Sequence, residues 1–187
     1  MLSLYDRLRS QPKPAKRPSP APTVQDCLIR ESHFPLPAEY FHLSDGLLRM
    51  MQGDETLPSH CDRQHILFLD TETTGLSGGA GTVAFLVGVG YIDETGITVL
   101  QYLMRDYNEE RYVLEHVRRH LESTQLLVTY NGKSFDMPLL ASRFTMNRIR
   151  FDPLSVPHAD LIHTARRVWK LRIGRCSLSH LEEVIFG

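Results

Sequence analysis

Ile66-Leu67-Phe68-Leu69-Asp70-Thr71-Glu72-Thr73-Thr74-Gly75-Leu76 is the stretch around which the chain is organised, because two acids follow directly on a wholly apolar run. Four consecutive apolar residues bounded by polar ones predict a buried strand. Side chains of a strand alternate with a period of two, so Asp70 and Glu72 project to the same side if the strand continues through Thr71. Two carboxylates so placed repel each other unless a cation lies between them.

The residue types of this pair favour a metal site. Mg²⁺ and Mn²⁺ prefer oxygen ligands and keep positions open for water and for substrate phosphates. The pair therefore predicts metal-assisted phosphodiester chemistry. The alternative is that Asp70 caps a turn and Glu72 is a solvated surface charge.

Composition places the chain among globular proteins. It has 187 residues, of which 42% are hydrophobic, enough for one ordinary domain with a core. The longest apolar stretch, residues 83–92, is about half as long as a membrane span requires, so we expect no membrane contact and a cytoplasmic location. Three widely spaced cysteines predict free thiols rather than a disulfide framework.

Three segments are predicted along the chain. Residues 1–37 hold seven of the 11 prolines and lack apolar periodicity, which is typical of a flexible tail. Residues 38–60 are predicted to be a linker, with apolar side chains at helical spacing over 39–52 that indicate a short docking helix. Residues 61–187 are predicted to form the folded domain.

The periodicity within that domain changes from two to about 3.6 and back. The predicted elements, in chain order, are strands at 65–70, 83–92 and 97–104, a helix at 109–121, a strand at 126–130, and helices at 135–146 and 160–170. Three antiparallel strands, a crossover helix and a fourth strand parallel to the first describe an α/β fold. The expected fold class is a ribonuclease H-like mixed sheet flanked by helices.

A second motif follows the fourth predicted strand, where residues 129–140 read TYNGKSFDMPLL. Ser134 is expected to cap a helix, and Asp136 is expected at its first turn. If the fourth strand pairs with the first, Asp136 approaches Asp70 and Glu72. The alternative is that Asp136 only caps the helix.

Charge is unevenly distributed although the net charge is −1. Residues 143–175 contain eight Lys and Arg residues against only Asp152 and Asp160. A basic flank beside an acidic centre suits a protein that binds a polyanion such as nucleic acid. Solvated helix faces are the alternative reading of the same charges.

Both motifs resemble those of a known family. Residues 70–76 are similar to the first exonuclease motif of the DEDD 3′-5′ exonuclease superfamily, and residues 130–136 are similar to its second. The form of the second motif, with the later run at 158–161, is most similar to the YprB-type ribonuclease H-like exonucleases, over about residues 66–186. The resemblance implies hydrolysis of single-stranded DNA or RNA from a 3′ end with two Mg²⁺ or Mn²⁺ ions in a complete domain.

The resemblance also assigns roles to residues. It implies that the catalytic metal ligands are Asp70, Glu72 and Asp136. Contacts to the substrate strand are implied for Thr73, Gly75, Leu76, Asn131 and Phe135. The implied partner is nucleic acid, as a single strand or a 3′ end, and a helicase or another protein partner stays open.

The chain departs from that superfamily in its fourth acid, which lies on a later helix, four or five residues after a Tyr or His. Asp160 is expected to open a helix instead, and Ser179 to Glu182 predict a capping box for a last short helix. We therefore expect a domain that is C-terminally incomplete. Two alternatives stay open: a catalytically inactive nucleic-acid-binding module that lacks the fourth metal carboxylate, and a sugar-phosphate or nucleotide enzyme.

Overall fold

The structure is a computed structural model that describes residues 27–37, 57–58, 60–75 and 81–187. In these ranges it contains one six-stranded sheet and four α-helices, with short 3-10 turns between some of them. The strands are β1 (Leu28–Pro35), β2 (Ile66–Thr73), β3 (Ala84–Ile92), β4 (Gly96–Leu103), β5 (Leu126–Thr129) and β6 (His158–Asp160). The helices are α1 (Glu110–Glu122), α2 (Asp136–Met146), α3 (Leu161–Ile173) and α4 (Leu178–Phe186).

The sheet is mixed, and its strand order is β1-β4-β3-β2-β5-β6. Strands β2, β3 and β4 form an antiparallel meander, while β5 runs parallel to β2 and β6 runs parallel to β5. The predicted α/β fold with a ribonuclease H-like mixed sheet is therefore confirmed. Of the helices in the described ranges, none has both the length and the apolar character of a transmembrane span.

Strand β2 lies at the centre of the domain and is packed on both faces. Leu67 and Leu69 belong to the cluster formed with the buried sides of α1 and α2. Ile66 belongs to a second cluster, on the opposite face, against which Phe68 packs. This alternation follows from the period of a strand, and it fixes β2 so that the polar residues at its end project from a rigid support.

The prediction of a tail over residues 1–37 is wrong for residues 28–35, which form β1. This strand pairs antiparallel with β4 along its whole length, from Leu28 opposite Leu103 to Pro35 opposite Gly96. Its side chains are mostly exposed, so the strand is held by backbone hydrogen bonds and has no apolar pattern in the sequence. Residues 1–26 and the docking helix predicted at 39–52 lie outside the described residues.

The predicted helix caps also differ from the structure. Helix α2 begins at Asp136 after Phe135, so Ser134 does not cap it. Helix α4 begins at Leu178 after Ser177, and the capping box predicted from Ser179 does not form because the helix starts earlier. Neither of these two helices has a side-chain hydrogen bond at its N-cap. Both helices therefore begin at residues other than those that local capping preference indicates.

Candidate active site

Asp70 and Glu72 lie in the second half of β2, which stays extended as far as Thr73. Both side chains are exposed to solvent, as expected for polar residues beyond the packed part of the strand. Three effects raise the pKa of Asp70 above its ordinary value: its partial burial, the charge of Asp136 and the charge of Glu72, in that order. The Asp70 carboxyl therefore lies within electrostatic reach of both other acids.

Asp136 is the first residue of α2 and is buried. The hydroxyl of Thr71 donates a hydrogen bond to its Oδ1 over 2.5 Å. Burial raises the pKa of Asp136, and the bond from Thr71 partly offsets this effect. Thr71 thus fixes the carboxylate from β2, a role that was not predicted from the sequence. The sequence contains one signal for this role. Because side chains of a strand alternate, Thr71 points to the side opposite to Asp70 and Glu72.

A cleft of about 280 Å³ contains the residues that the sequence predicts for the site. Those that line it are Asp70, Glu72, Thr73, Gly75, Asn131, Phe135 and Asp136, together with Thr71, Thr82, Tyr130 and Leu139. Leu76 lies outside the described residues. The two motifs, about sixty residues apart in the chain, therefore meet because β5 pairs with β2 and delivers the second motif to the same end of the sheet.

The donors in this cleft suit a hard divalent cation. Three carboxylates supply oxygen ligands, and the mutual repulsion that acts on Asp70 is what a cation would relieve. Within the described part of the chain, the acids are not gathered into a cluster of three or more metal ligands. Asp136 faces the hydroxyl of Thr71, whereas Asp70 and Glu72 are solvent-exposed.

Asp160 is buried behind the second motif and holds its backbone. Its carboxylate accepts hydrogen bonds from the backbone N–H groups of Asn131 at 2.6 Å, Lys133 at 3.0 Å and Ile162 at 3.1 Å. The bond from Ile162 makes it the N-cap of α3, so it opens a helix as predicted. The other two bonds were not predicted, since nothing local in the sequence links Asp160 to residues almost thirty positions earlier.

These bonds hold a turn of unusual backbone conformation. Asn131 has a φ of 69°, in the left-handed region that few residues other than glycine adopt. At the next position a Cβ atom would lie 2.5 Å from Oγ1 of Thr129, so only glycine fits at Gly132. The N–H of Gly132 donates to that same hydroxyl, which is 2.8 Å from Nε2 of His158. The turn that leads into Asp136 is thus fixed by side chains of β5 and β6.

Comparisons with known proteins agree with this fold. A family model of the RNase H superfamily matches residues 67–187. The uncharacterized protein YprB of Bacillus subtilis (strain 168) is 36% identical over 175 residues, which cover 86% of this chain and 41% of YprB. The chain thus spans about two fifths of the length of that relative.

A DNA polymerase of Pyrococcus glycovorans is 26% identical over 207 residues, which cover 92% of this chain and 25% of the polymerase. The predicted resemblance to YprB and to ribonuclease H-like domains is confirmed by the family match and by the identity to YprB. The chain belongs to the RNase H superfamily, whose model covers both motifs of the carboxylate cleft.

Proposed function

We propose that this chain is a metal-dependent 3′-5′ exonuclease that hydrolyses phosphodiester bonds of single-stranded DNA or RNA. The observation that carries the proposal is the joint presence of Asp70, Glu72 and Asp136 in one cleft, in the second half of β2 and at the start of α2. Membership of the RNase H superfamily and the similarity to a DNA polymerase support a nuclease rather than a sugar-phosphate enzyme.

In this proposal Asp70, Glu72 and Asp136 would hold the divalent ions. The charges of Asp136 and Glu72 both raise the pKa of Asp70, so a bound cation would relieve the repulsion that acts on this carboxylate. Bound Mg²⁺ or Mn²⁺ would supply Lewis-acid stabilisation of the charge that develops on the phosphodiester and promote deprotonation of the attacking water. Water oxygen attacks phosphorus, and the bond from phosphorus to the 3′ oxygen breaks. The products are a nucleoside 5′-monophosphate and a strand with a new 3′ hydroxyl.

Other residues of the cleft would position the strand. The ring of Phe135 is 57% exposed at the mouth of the cleft, where it can stack on a base. Thr73 donates through Oγ1 to the carbonyl of Gly75, which shapes the backbone near the terminal nucleotide. Asn131 lines the same cleft. We propose the same contact role for Leu76, as the family resemblance implies.

The test uses a short 5′-labelled single strand of DNA or RNA. We expect Mg²⁺ or Mn²⁺ to produce a ladder of shortened labelled products, and EDTA to stop it. Asp70→Asn should lower the rate by at least about 100-fold, equivalent to about 2.7 kcal/mol of transition-state stabilisation. Glu94→Gln is the matched control, because Glu94 is an exposed acid in the turn at the opposite end of the strands.

The outcomes separate the proposal from a second candidate function. Cleavage that persists in EDTA, or that Asp70→Asn leaves unchanged, would contradict the proposal. One observation favours a nucleic-acid-binding module without catalysis: Asp160, the last aspartate in the sequence, binds backbone N–H groups and adds no fourth acid to the cleft. Salt-sensitive binding of the strand without metal-dependent cleavage would support that second function.

A further inference from the structure

A second cleft, of about 530 Å³, adjoins the carboxylate cleft. Tyr130 and Asn131 line both clefts, so the two share a wall at the end of β5. The charged residues that line the second cleft are Arg166 and Arg175, and no acid is among them. An acidic cleft and a basic cleft thus lie side by side.

The two arginines are available to a ligand. Both side chains are exposed, and neither forms an ion pair with a carboxylate of the described residues. Other arginines differ: Arg105 and Arg118 are paired with glutamates on their own segments. The nearby carboxylate of Asp160 is buried and binds backbone N–H groups, and it does not line this cleft.

The backbone that carries the arginines is tied to the wall that the two clefts share. Arg166 lies in the middle of α3. Gly174, with a φ of 78°, ends that helix and turns the chain so that Arg175 follows directly. The hydroxyl of Tyr130 then donates to the carbonyl of Cys176 over 2.5 Å, which ties this loop to the wall shared by the two clefts.

We infer that Arg166 and Arg175 form a phosphate site for the backbone of a polynucleotide whose terminal phosphodiester lies in the carboxylate cleft. Guanidinium groups bind phosphate oxygens in a bidentate manner, and a basic cleft without acids favours a ligand with more than one phosphate. This inference rests on the proposed function and narrows its substrate class. An oligonucleotide strand would use both clefts, whereas a dinucleotide with a single phosphate would use only the first.

The first experiment measures binding of a short labelled single strand by fluorescence anisotropy at several salt concentrations, in an Asp70→Asn background in which cleavage is expected to be slow. Arg166→Gln/Arg175→Gln should weaken binding at least about tenfold at low salt and reduce the slope of log K against log salt by about 1.4, since each phosphate contact to a single strand contributes about 0.7. Glutamine keeps most of each side chain, and thermal unfolding of the variant checks its fold.

The matched control is Arg150→Gln/Arg172→Gln, which removes the same charge from two exposed arginines that line neither cleft. In this control variant, the slope of log K against log salt should change by much less than in Arg166→Gln/Arg175→Gln. Equal changes in the two double variants, or no change in either, would overturn the inference, because they would indicate general charge attraction or no contact.

The second experiment measures cleavage by the otherwise unmodified chain. Arg166→Gln/Arg175→Gln should raise KM for an oligonucleotide at least about tenfold, with kcat unchanged, and should alter KM for a dinucleotide less than about twofold. Equal effects on the two substrates would overturn the inference. Absence of any cleavage together with the expected salt slopes would contradict the proposed function and leave the phosphate site standing.

Discussion

His158, which contacts the turn beside the site, should make the stability of the folded chain depend on pH. Its Nε2 is 2.8 Å from the hydroxyl of Thr129. Burial, and secondarily the positive charge of Lys133, lowers the pKa of His158 to about 4, against the opposing effect of Asp160. The unfolded chain, with a His pKa of about 6.5, binds more protons than the folded one between about pH 6.5 and about pH 4.

The free energy of unfolding should therefore be highest above pH 6.5 and fall as the pH drops through this window. We expect a loss of about 1–2 kcal/mol from this residue, a figure reduced for its partial contact with solvent. Urea unfolding at about pH 7.5 and at about pH 4.5 measures the loss. His158→Gln should remove that part of the pH dependence, whereas His163→Gln, at an exposed position of α3, should not. An unaltered pH dependence in His158→Gln would contradict the prediction.

At the scale of elements, the contact between α1 and α2 positions the helix that begins with Asp136. Arg143 of α2 donates from Nε and Nη2 to the two carboxylate oxygens of Glu110 at the start of α1, over 2.5 Å and 2.7 Å. Asn147 adds a bond of 2.9 Å to the same carboxylate. Both side chains of the ion pair are about one-tenth exposed, so the pair is shielded from solvent and from salt.

Removing one partner of this ion pair should lower the free energy of unfolding. Arg143→Met leaves the Glu110 carboxylate buried without its main partner, and we expect a loss of about 3 kcal/mol in the free energy of unfolding. The double variant Glu110→Leu/Arg143→Met should lose less than Arg143→Met alone, because no charge is left unpaired. Arg118→Met, which removes the ion pairs of Arg118 with Glu115 and Glu122 on the outer side of α1, is the control and should have a far smaller effect. Urea unfolding of the unmodified chain, Glu110→Leu, Arg143→Met and the double variant gives the coupling energy of the pair.

The elements also show what the sequence can and cannot predict. Strands β2 to β5 and helices α1 to α3 were predictable within a few residues, because each buries one face or both and so carries a periodic apolar pattern. Strand β1 was not, since its exposed side chains leave no pattern, and β6 has only three residues. The positions of β1 and β6 depend on pairing with strands that are distant in the sequence, and no local sequence pattern predicts such pairing.

The same distinction holds for the site. The approach of Asp136 to Asp70 and Glu72 was predictable, because parallel pairing of two strands brings their carboxyl ends together. The bonds of Asp160 to the turn at Asn131 were not, because they join residues that meet only through the β5–β6 pairing. Sequence patterns thus predict the acids of the cleft better than the residues that hold them in place.

At the scale of the whole molecule, binding of a divalent cation should stabilise the fold. The net charge of −1 gives the protein little general attraction for cations, so a specific effect has to arise locally. We expect this local effect at Asp70, since burial and the charges of Asp136 and Glu72 all disfavour the ionised form of its carboxyl. A ligand that binds only the folded state at about 100 times its Kd adds about 2.7 kcal/mol of stability.

Thermal unfolding in Mg²⁺ or Mn²⁺ and in EDTA, at equal ionic strength, measures this increment. We expect the unmodified chain to unfold about 5 °C or more higher with the cation, since about 1 kcal/mol shifts Tm by about 2–4 °C in a protein of this size. Asp70→Asn should lose the increment and, in EDTA, should be at least as stable as the unmodified chain because one repulsive charge is gone. Glu94→Gln should keep the increment, and an equal increment in Asp70→Asn would place the cation elsewhere than in the carboxylate cleft.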